Sequence, residues 1–391
     1  RNVLGSGRLV SATNDQSSRG HGGSAAVNDP WMFGTDIVGA GRFSDVAGNH
    51  LLRLSIRHHE LSELDPWRVE IGFGRQHFGD SVTTEHPLTD LFAEGHVGHI
   101  VGGTVRGITV AYLGPEVDHA TDFETRQGDA GIPAEHRRGF MGMDVGLSHR
   151  AAAFDTASWF AARRGFLDIP LGVESDVLAG GGNDRDQHAD AARYDGWVGR
   201  MMIPRRGTLL DLQAWTSGYL GDVRANHIDR FSLAGYAEAP NGFWGARAMF
   251  EQLLQLDADE RILTLATIAN DPSLPAVPRD VRLADRSLTA SIERSLHLYS
   301  IGRASVLDGA LFTAGSVRWD VPAVPSTHFD VAVVGARLRL LSANGVIGST
   351  RLDLGFPVAS NGSIVHRPLL SASISSLFDN ARGRDGSRRH Q

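Results

Sequence analysis

Asp184, Asp186 and Asp190 follow a glycine run in GGGNDRDQHAD, residues 180–190. Carboxylates at alternate positions supply the hard oxygen ligands that calcium takes. The motif occurs once and lacks a closing bidentate glutamate, so the stretch reads as a solvated loop. His58-His59 and the pair His96 and His99 have the chemistry of metal ligands. With 17 histidines scattered along the chain, such pairs also arise by chance. Gly5-Ser6-Gly7 has no following helix to hold a dinucleotide phosphate. Asn361-Gly362-Ser363 fits a glycosylation sequon and, more simply, a hairpin turn. No serine, histidine and aspartate stand in the strand–elbow context of a hydrolase. Cysteine is absent, which excludes thiolate nucleophiles, thiolate metal sites and disulfides. The sequence predicts no catalytic site, no metal centre and no cofactor, and hence a protein that is not an enzyme.

The informative charges lie elsewhere, on alternating strands near the end of the chain. In GVIGSTRLDLGFPV (345–358), Thr350, Leu352, Leu354 and Phe356 fall on one side and Ser349, Arg351, Asp353 and Gly355 on the other. Period-two alternation predicts a two-faced strand. In VAVVGARLRLL (331–341), Ala332, Val334, Ala336, Leu338 and Leu340 form an apolar line opposite Val331, Val333, Gly335, Arg337 and Arg339. Ser342-Ala343-Asn344-Gly345 joins the two, and Asn-Gly suits a tight hairpin turn. Arg337, Arg339, Arg351 and Asp353 thus share one face of a hairpin whose other face is uncharged. A soluble sandwich could show the same alternation. A strand that is apolar outside and charged inside is what a transmembrane barrel requires.

The elements that position these charges follow the same scheme. LLRLSIRHHE (51–60), RVEIGFGRQ (68–76), ITVAYL (108–113), GFMGMDVGLSH (139–149) and TLLDLQAWTSGYL (208–220) read as strands with a polar and an apolar side. NVLGSGRLVSAT (2–13) is a glycine-punctuated first strand. Asp29-Pro30-Trp31 and Asp65-Pro66-Trp67 are turn signals, each launching a strand with tryptophan at a water–lipid boundary. Trp31, Trp67, Trp215, Trp244 and Trp319 are expected at strand ends, and 77–103, 115–136 and 177–193 are expected as long loops. No run of about 18 apolar residues is present, so no transmembrane helix is predicted. The 46 glycines fit closely approaching strands and tight turns. A net charge of −7, with arginine as the basic residue, gives no reason to expect nucleic acid. Strand spacing of roughly 20–25 residues predicts about 16 strands, within the known range of barrels. The expected fold class is all-β: a transmembrane antiparallel β-barrel over 1–378. A polar, arginine-rich tail of disordered composition (379–391) follows. The chain opens at Arg1 without a secretion signal and reads as a mature form or a fragment.

RNVLGSGR (1–8), NDPWMFGT (28–35) and GSTRLDLGFPV (348–358) together resemble the barrel of the bacterial surface-antigen family, which includes BamA, TamA and the two-partner secretion transporters. Family barrels open with N-L-x-G-x-G, continue with D-P-W-x-x-G-T and close with R-x-D-x-G-x-P. RSLTASIERSL (286–296) and ALFTAGSVRW (310–319) resemble the strands after the sixth loop, with Thr313 in place of an expected aspartate. The resemblance covers essentially the whole chain. It implies an integral outer-membrane barrel of 16 strands with a weak seam between first and last strands, at about 3–12 and 367–378. Leu4, Leu9, Leu370, Ile374 and Phe378 lie on those seam strands. It implies insertion, assembly or translocation of outer-membrane proteins by strand templating at exposed edges. The partners implied are membrane lipids and lipopolysaccharide, with client outer-membrane proteins or neighbouring subunits. Pro275-Ala276-Val277-Pro278 stands where the family's sixth loop carries Arg-Gly-Phe/Tyr, and no POTRA module precedes Arg1. These departures point also to a structural or scaffolding barrel, and then to a passive pore.

Overall fold

The computed structural model describes the strands, Met32, His188 and the turns at 203–207 and 240–241; residues 1–8, the other connections and 376–391 lie outside the described residues. The chain is a succession of antiparallel strands. They begin with β1 (Leu9–Ser17), β2 (Gly20–Asp29), β3 (Ile37–Val46), β4 (Asn49–His58), β5 (Trp67–Phe78), β6 (Leu88–Thr104) and β7 (Gly107–Glu124). Next come β8 (Ala134–Ala151), β9 (Ala153–Thr156), β10 (Asp168–Asp184), β11 (Ala189–Met202), β12 (Thr208–Gly221), β13 (Asn226–Ala239) and β14 (Gly242–Leu254). The series ends with β15 (Arg286–Ile301), β16 (Ser305–Trp319), β17 (His328–Ser342), β18 (Ser349–Ala359) and β19 (Leu369–Ser375).

Apart from β8 and β9, which do not pair with each other, each strand pairs with its sequence neighbours, and β19 pairs back onto β1, so the sheet closes on itself. Because β8 and β9 both pair with β10, the nineteen segments fill eighteen positions around the ring. At 391 residues this is about 22 residues per position, inside the spacing read from the sequence. Closure removes the free edges that an open sheet of this size would expose. One rim carries the 31-residue connection 255–285; the opposite rim, that of 203–207 and 240–241, has none longer than 157–167.

The two faces differ in chemistry. Leu113, Val145, Val177, Leu311, Leu338 and Leu354 are exposed on the outer face, while Glu116, Asp144, Asp195, Arg337, Arg339 and Asp353 are buried on the inner one. A hydrophobic exterior around a charged interior is stable only where the exterior meets lipid. Trp67 and Trp244 face outward at the turn rim, 56% and 51% exposed, as ring-and-N–H side chains do at a membrane interface.

Three sequence expectations are corrected. The segments 77–103, 115–136 and 177–193 are largely strand: β6, most of β7, and β10 with β11. Their inward positions are filled by glycine, histidine and acids rather than by an apolar line, which hid the alternation. Residues 180–184 and 189–190 are strand, at the ends of β10 and β11, while 185–187 with Asp186 lie outside the described residues; Asp184 is buried and accepts a 3.5 Å bond from Gly139 N–H. Trp215 is not at a strand end but buried on the inner wall, where its indole N–H donates to Asp195 at 3.1 Å. Trp31, Asn344 and Gly345 lie outside the described residues.

Candidate functional site: the seam and the lumen wall

The ring is uneven where it closes. β1 pairs with β2 along its whole length, from Leu9↔Asn28 to Ser17↔Gly20. β19 pairs with β18 along its whole length, from Leu369↔Gly355 to Ser375↔Ser349. Between β1 and β19, the register pairs among the described residues are Thr13↔Ser373 and Asn14↔Ala372. Among the described residues, backbone groups flanking those two pairs have no register partner across the junction, and such groups can bond an added strand.

The wall beside the seam is braced from within. Arg337 on β17 bonds Asp353 on β18 through Nε at 2.7 Å and Nη2 at 3.3 Å, a two-point contact that fixes both groups. Its Nη1 also reaches Glu293 on β15. Glu293 in turn accepts from Arg339 at 2.9 and 3.1 Å. The guanidinium of Arg337 stacks 5.2 Å over the Phe312 ring. The same unit of arginine, acid and aromatic recurs around the lumen. Arg53 meets Glu94 over Phe92, and Arg230 meets Glu251 at 2.7 and 3.2 Å over Trp215. Arg193 meets Glu116 and lies over Tyr219.

Glycines make these lateral contacts possible. Arg193 and Glu116 are three ladder steps apart, about 14 Å along a sheet, and the inner-face positions between them include Gly142 and Gly182. Tyr112 crosses Gly146 to donate to Asp176; a Cβ at Gly146 would fall 2.3 Å from the Tyr112 ring. Phe92 covers Gly74 and Phe312 covers Gly335 in the same way. An aromatic laid over a strand glycine restores the packing that the glycine lacks. This accounts for glycine inside strands, which sequence reasoning attributed only to turns and close strand approach. Pro115 lies where the β6–β7 ladder skips pairs between Glu94↔Glu116 and Val97↔Leu113 without a change of register, as expected for a residue with no N–H to give the ladder.

Of the residues singled out from the sequence, Arg337, Arg339 and Asp353 lie together on the inner wall, 7%, 5% and 0% exposed. Arg351 is in register with Arg339 and Ser373, and its side chain lies outside the described residues. Leu9 is in register with Asn28, Leu370 with Leu354 and Ile374 with Thr350; their side chains also lie outside the described residues. Leu4, Phe378, Pro275, Ala276, Val277 and Pro278 lie outside them altogether. Sequence reasoning missed Glu293, which couples β15 to β17. Its signal is the inward parity it shares with Ser287 and Ser295, both buried on β15.

No family model and no curated protein matches the sequence. Among solved structures, the chain is similar to BamA from Haemophilus ducreyi lacking POTRA domains 1–3. That match has a TM-score of 0.53 and 10% identity, covering 94% of this chain and 70% of that one. It is also similar to CdiB from Acinetobacter baumannii, with a TM-score of 0.46 and 10% identity over 94% of this chain and 59% of that one. CdiB from Escherichia coli gives a TM-score of 0.42 and 9% identity over 94% and 62%. The chain thus spans less than two thirds of either CdiB. With its closed antiparallel ring, charged lumen and apolar exterior, the chain has the fold of an outer-membrane β-barrel of the BamA kind.

Proposed function

We propose that this chain is an integral protein of a bacterial outer membrane that helps insert, assemble or translocate other outer-membrane proteins by templating a strand at its seam. The observation that carries this reading is the β1–β19 junction, which has two register pairs among the described residues while both strands are paired along their described lengths on their other sides. An incoming extended segment finds there main-chain groups already aligned for antiparallel pairing. No cofactor enters the reaction; the driving force is strand pairing and lipid burial by the client.

The test is folding of an unfolded outer-membrane protein into liposomes containing this chain, with and without a seam lock. The chain has no cysteine. Thr13→Cys with Ser373→Cys therefore places one cysteine pair on directly opposed residues, a separation that a disulfide spans. The reduced form accelerates client folding over empty liposomes and the oxidised form does not. Equal rates for the two forms contradict the reading. A second reading, a scaffolding barrel in a larger membrane complex, rests on the Arg337–Asp353–Glu293–Arg339 network, which ties three strands of the wall into one arrangement. It predicts no acceleration in either form and stoichiometric co-purification with other subunits.

A further inference from the structure

A groove of about 750 Å³ opens on the turn rim between the turns 203–207 and 240–241. Its backbone is well fixed. Thr208 N donates to Arg205 O at 3.0 Å, and Glu238 N donates to Gly207 O. Asn241 Nδ2 donates to His297 O at 3.0 Å while His297 N donates back to Asn241 O at 2.8 Å. The Thr208 hydroxyl donates to Arg205 O at 2.8 Å. Arg205 and Arg206 stand exposed on one wall, and neither guanidinium has an acid partner among the described residues. Glu238, also exposed, is the opposing charge, so the groove retains one net positive charge.

The groove adjoins the lipid-facing wall. Thr208, Ala237 and Trp244 occupy one cross-strand row. Trp244 faces outward there with Arg294 stacked 5.6 Å over its ring. Along the same strands, Leu212, Phe231 and Leu233 are exposed on the outer face. We propose that this groove seats the phosphate headgroup of an anionic glycerophospholipid from the leaflet at the turn rim, its acyl chains running along that apolar face. Guanidinium groups bind phosphate through paired N–H donors, tryptophan marks the interfacial depth, and the volume suits a small-molecule site. Continuity with the lipid-facing wall selects a lipid over a soluble anion, and the net positive charge selects an anionic headgroup over a zwitterionic one. The inference rests on the membrane-spanning fold and is independent of the seam, so either can fail alone.

The absence of cysteine makes the test specific. Ala237→Cys carries a fluorophore, and the full chain is folded into phosphatidylcholine vesicles doped with brominated phosphatidylglycerol or brominated phosphatidylcholine. A label at Val145→Cys, on the outer face of β8, reports bulk lipid; heat-modifiable gel mobility confirms folding of every variant. The expected result at position 237 is a preference of about fivefold for the anionic quencher. It falls to about one in R205Q/R206Q and survives in R205K/R206K. Equal quenching by both lipids overturns the proposal. So does a preference that persists in R205Q/R206Q, which would place the attraction on the whole barrel rather than the groove.

Discussion

Arg337→Met is the substitution that most sharply probes how the lumen wall is held. The methionine keeps an apolar stem over Phe312 but removes the guanidinium. Asp353, fully buried, then loses both contacts from that guanidinium, at 2.7 and 3.3 Å. Glu293 retains Arg339 at 2.9 Å, so the damage centres on one carboxylate. Removing one partner of a buried ion pair costs about 3–5 kcal/mol, because the remaining charge sits uncompensated in a poor dielectric. Replacing both partners by apolar groups of similar volume is close to neutral. R337M is therefore expected to unfold from vesicles about 3–5 kcal/mol more easily than the parent, and R337M/D353L to recover most of that loss. Equilibrium urea unfolding, followed by tryptophan fluorescence and gel mobility, measures both. A loss within about 1 kcal/mol for R337M, the range of a solvated pair, would show that water screens the wall and refute the reasoning. A double variant as weak as the single one would show that the buried charge is not the cause.

Three further outcomes follow from the same geometry. Gly182→Val brings a Cβ within 2.4 Å of Met141 O and 2.7 Å of Gly142 Cα, backbone atoms that cannot move aside, whereas the space at Gly181 is open. G182V should therefore lose about 1–3 kcal/mol in the urea assay while G181A stays within about 0.5 kcal/mol. Trp215→Phe removes the N–H that donates to Asp195, and about 1.5–3 kcal/mol is expected for a bond to a charged acceptor; thermal mobility shifts on gels report it. Val145→Arg sets a charge on the outer face, 62% exposed. It should cost about 2–4 kcal/mol near the bilayer midplane when folding is measured in vesicles; no cost there would mean that β8 does not face lipid.

The two-faced strands were legible because charge and apolarity alternate cleanly where β17 and β18 pair, with Arg337 opposite Asp353 and Leu338 opposite Leu352. Of the longest strands, β8 was legible from the apolar line Met141, Met143, Val145 and Leu147, but β6 and much of β10 were not, for a physical reason. On β10 glycine stands at 180, 181 and 182, on both faces, and on β6 the inward positions mix Phe92, Glu94, His96 and Gly98, so no regular line marks a face there. The lateral contacts across those glycines join residues such as Arg193 and Glu116, 77 positions apart. No local pattern encodes such a pairing; it emerges only when register brings strands into line. The Arg337–Asp353 contact was partly visible, since both residues carry inward parity on adjacent strands, but the contribution of Glu293 from β15 requires the ladder through β16. The seam was inferred from resemblance rather than from physical pattern. Its composition is unremarkable, and the register that β1 and β19 share among the described residues arises from closure rather than from a local pattern.

The most direct measurement is whether a client strand docks at the edge of β1. A single cysteine at Ser11, outside the two seam pairs, is combined with a cysteine series through the last strand of an unfolded outer-membrane protein. Disulfide adducts are then trapped while that protein folds into vesicles. The account predicts adducts at Ser11→Cys that alternate with the client's strand period, rise and then vanish as folding completes, and do not form with Val145→Cys on the far wall. Adducts equally frequent at both positions, or none at Ser11→Cys while the client folds at an accelerated rate, would contradict strand templating at the seam.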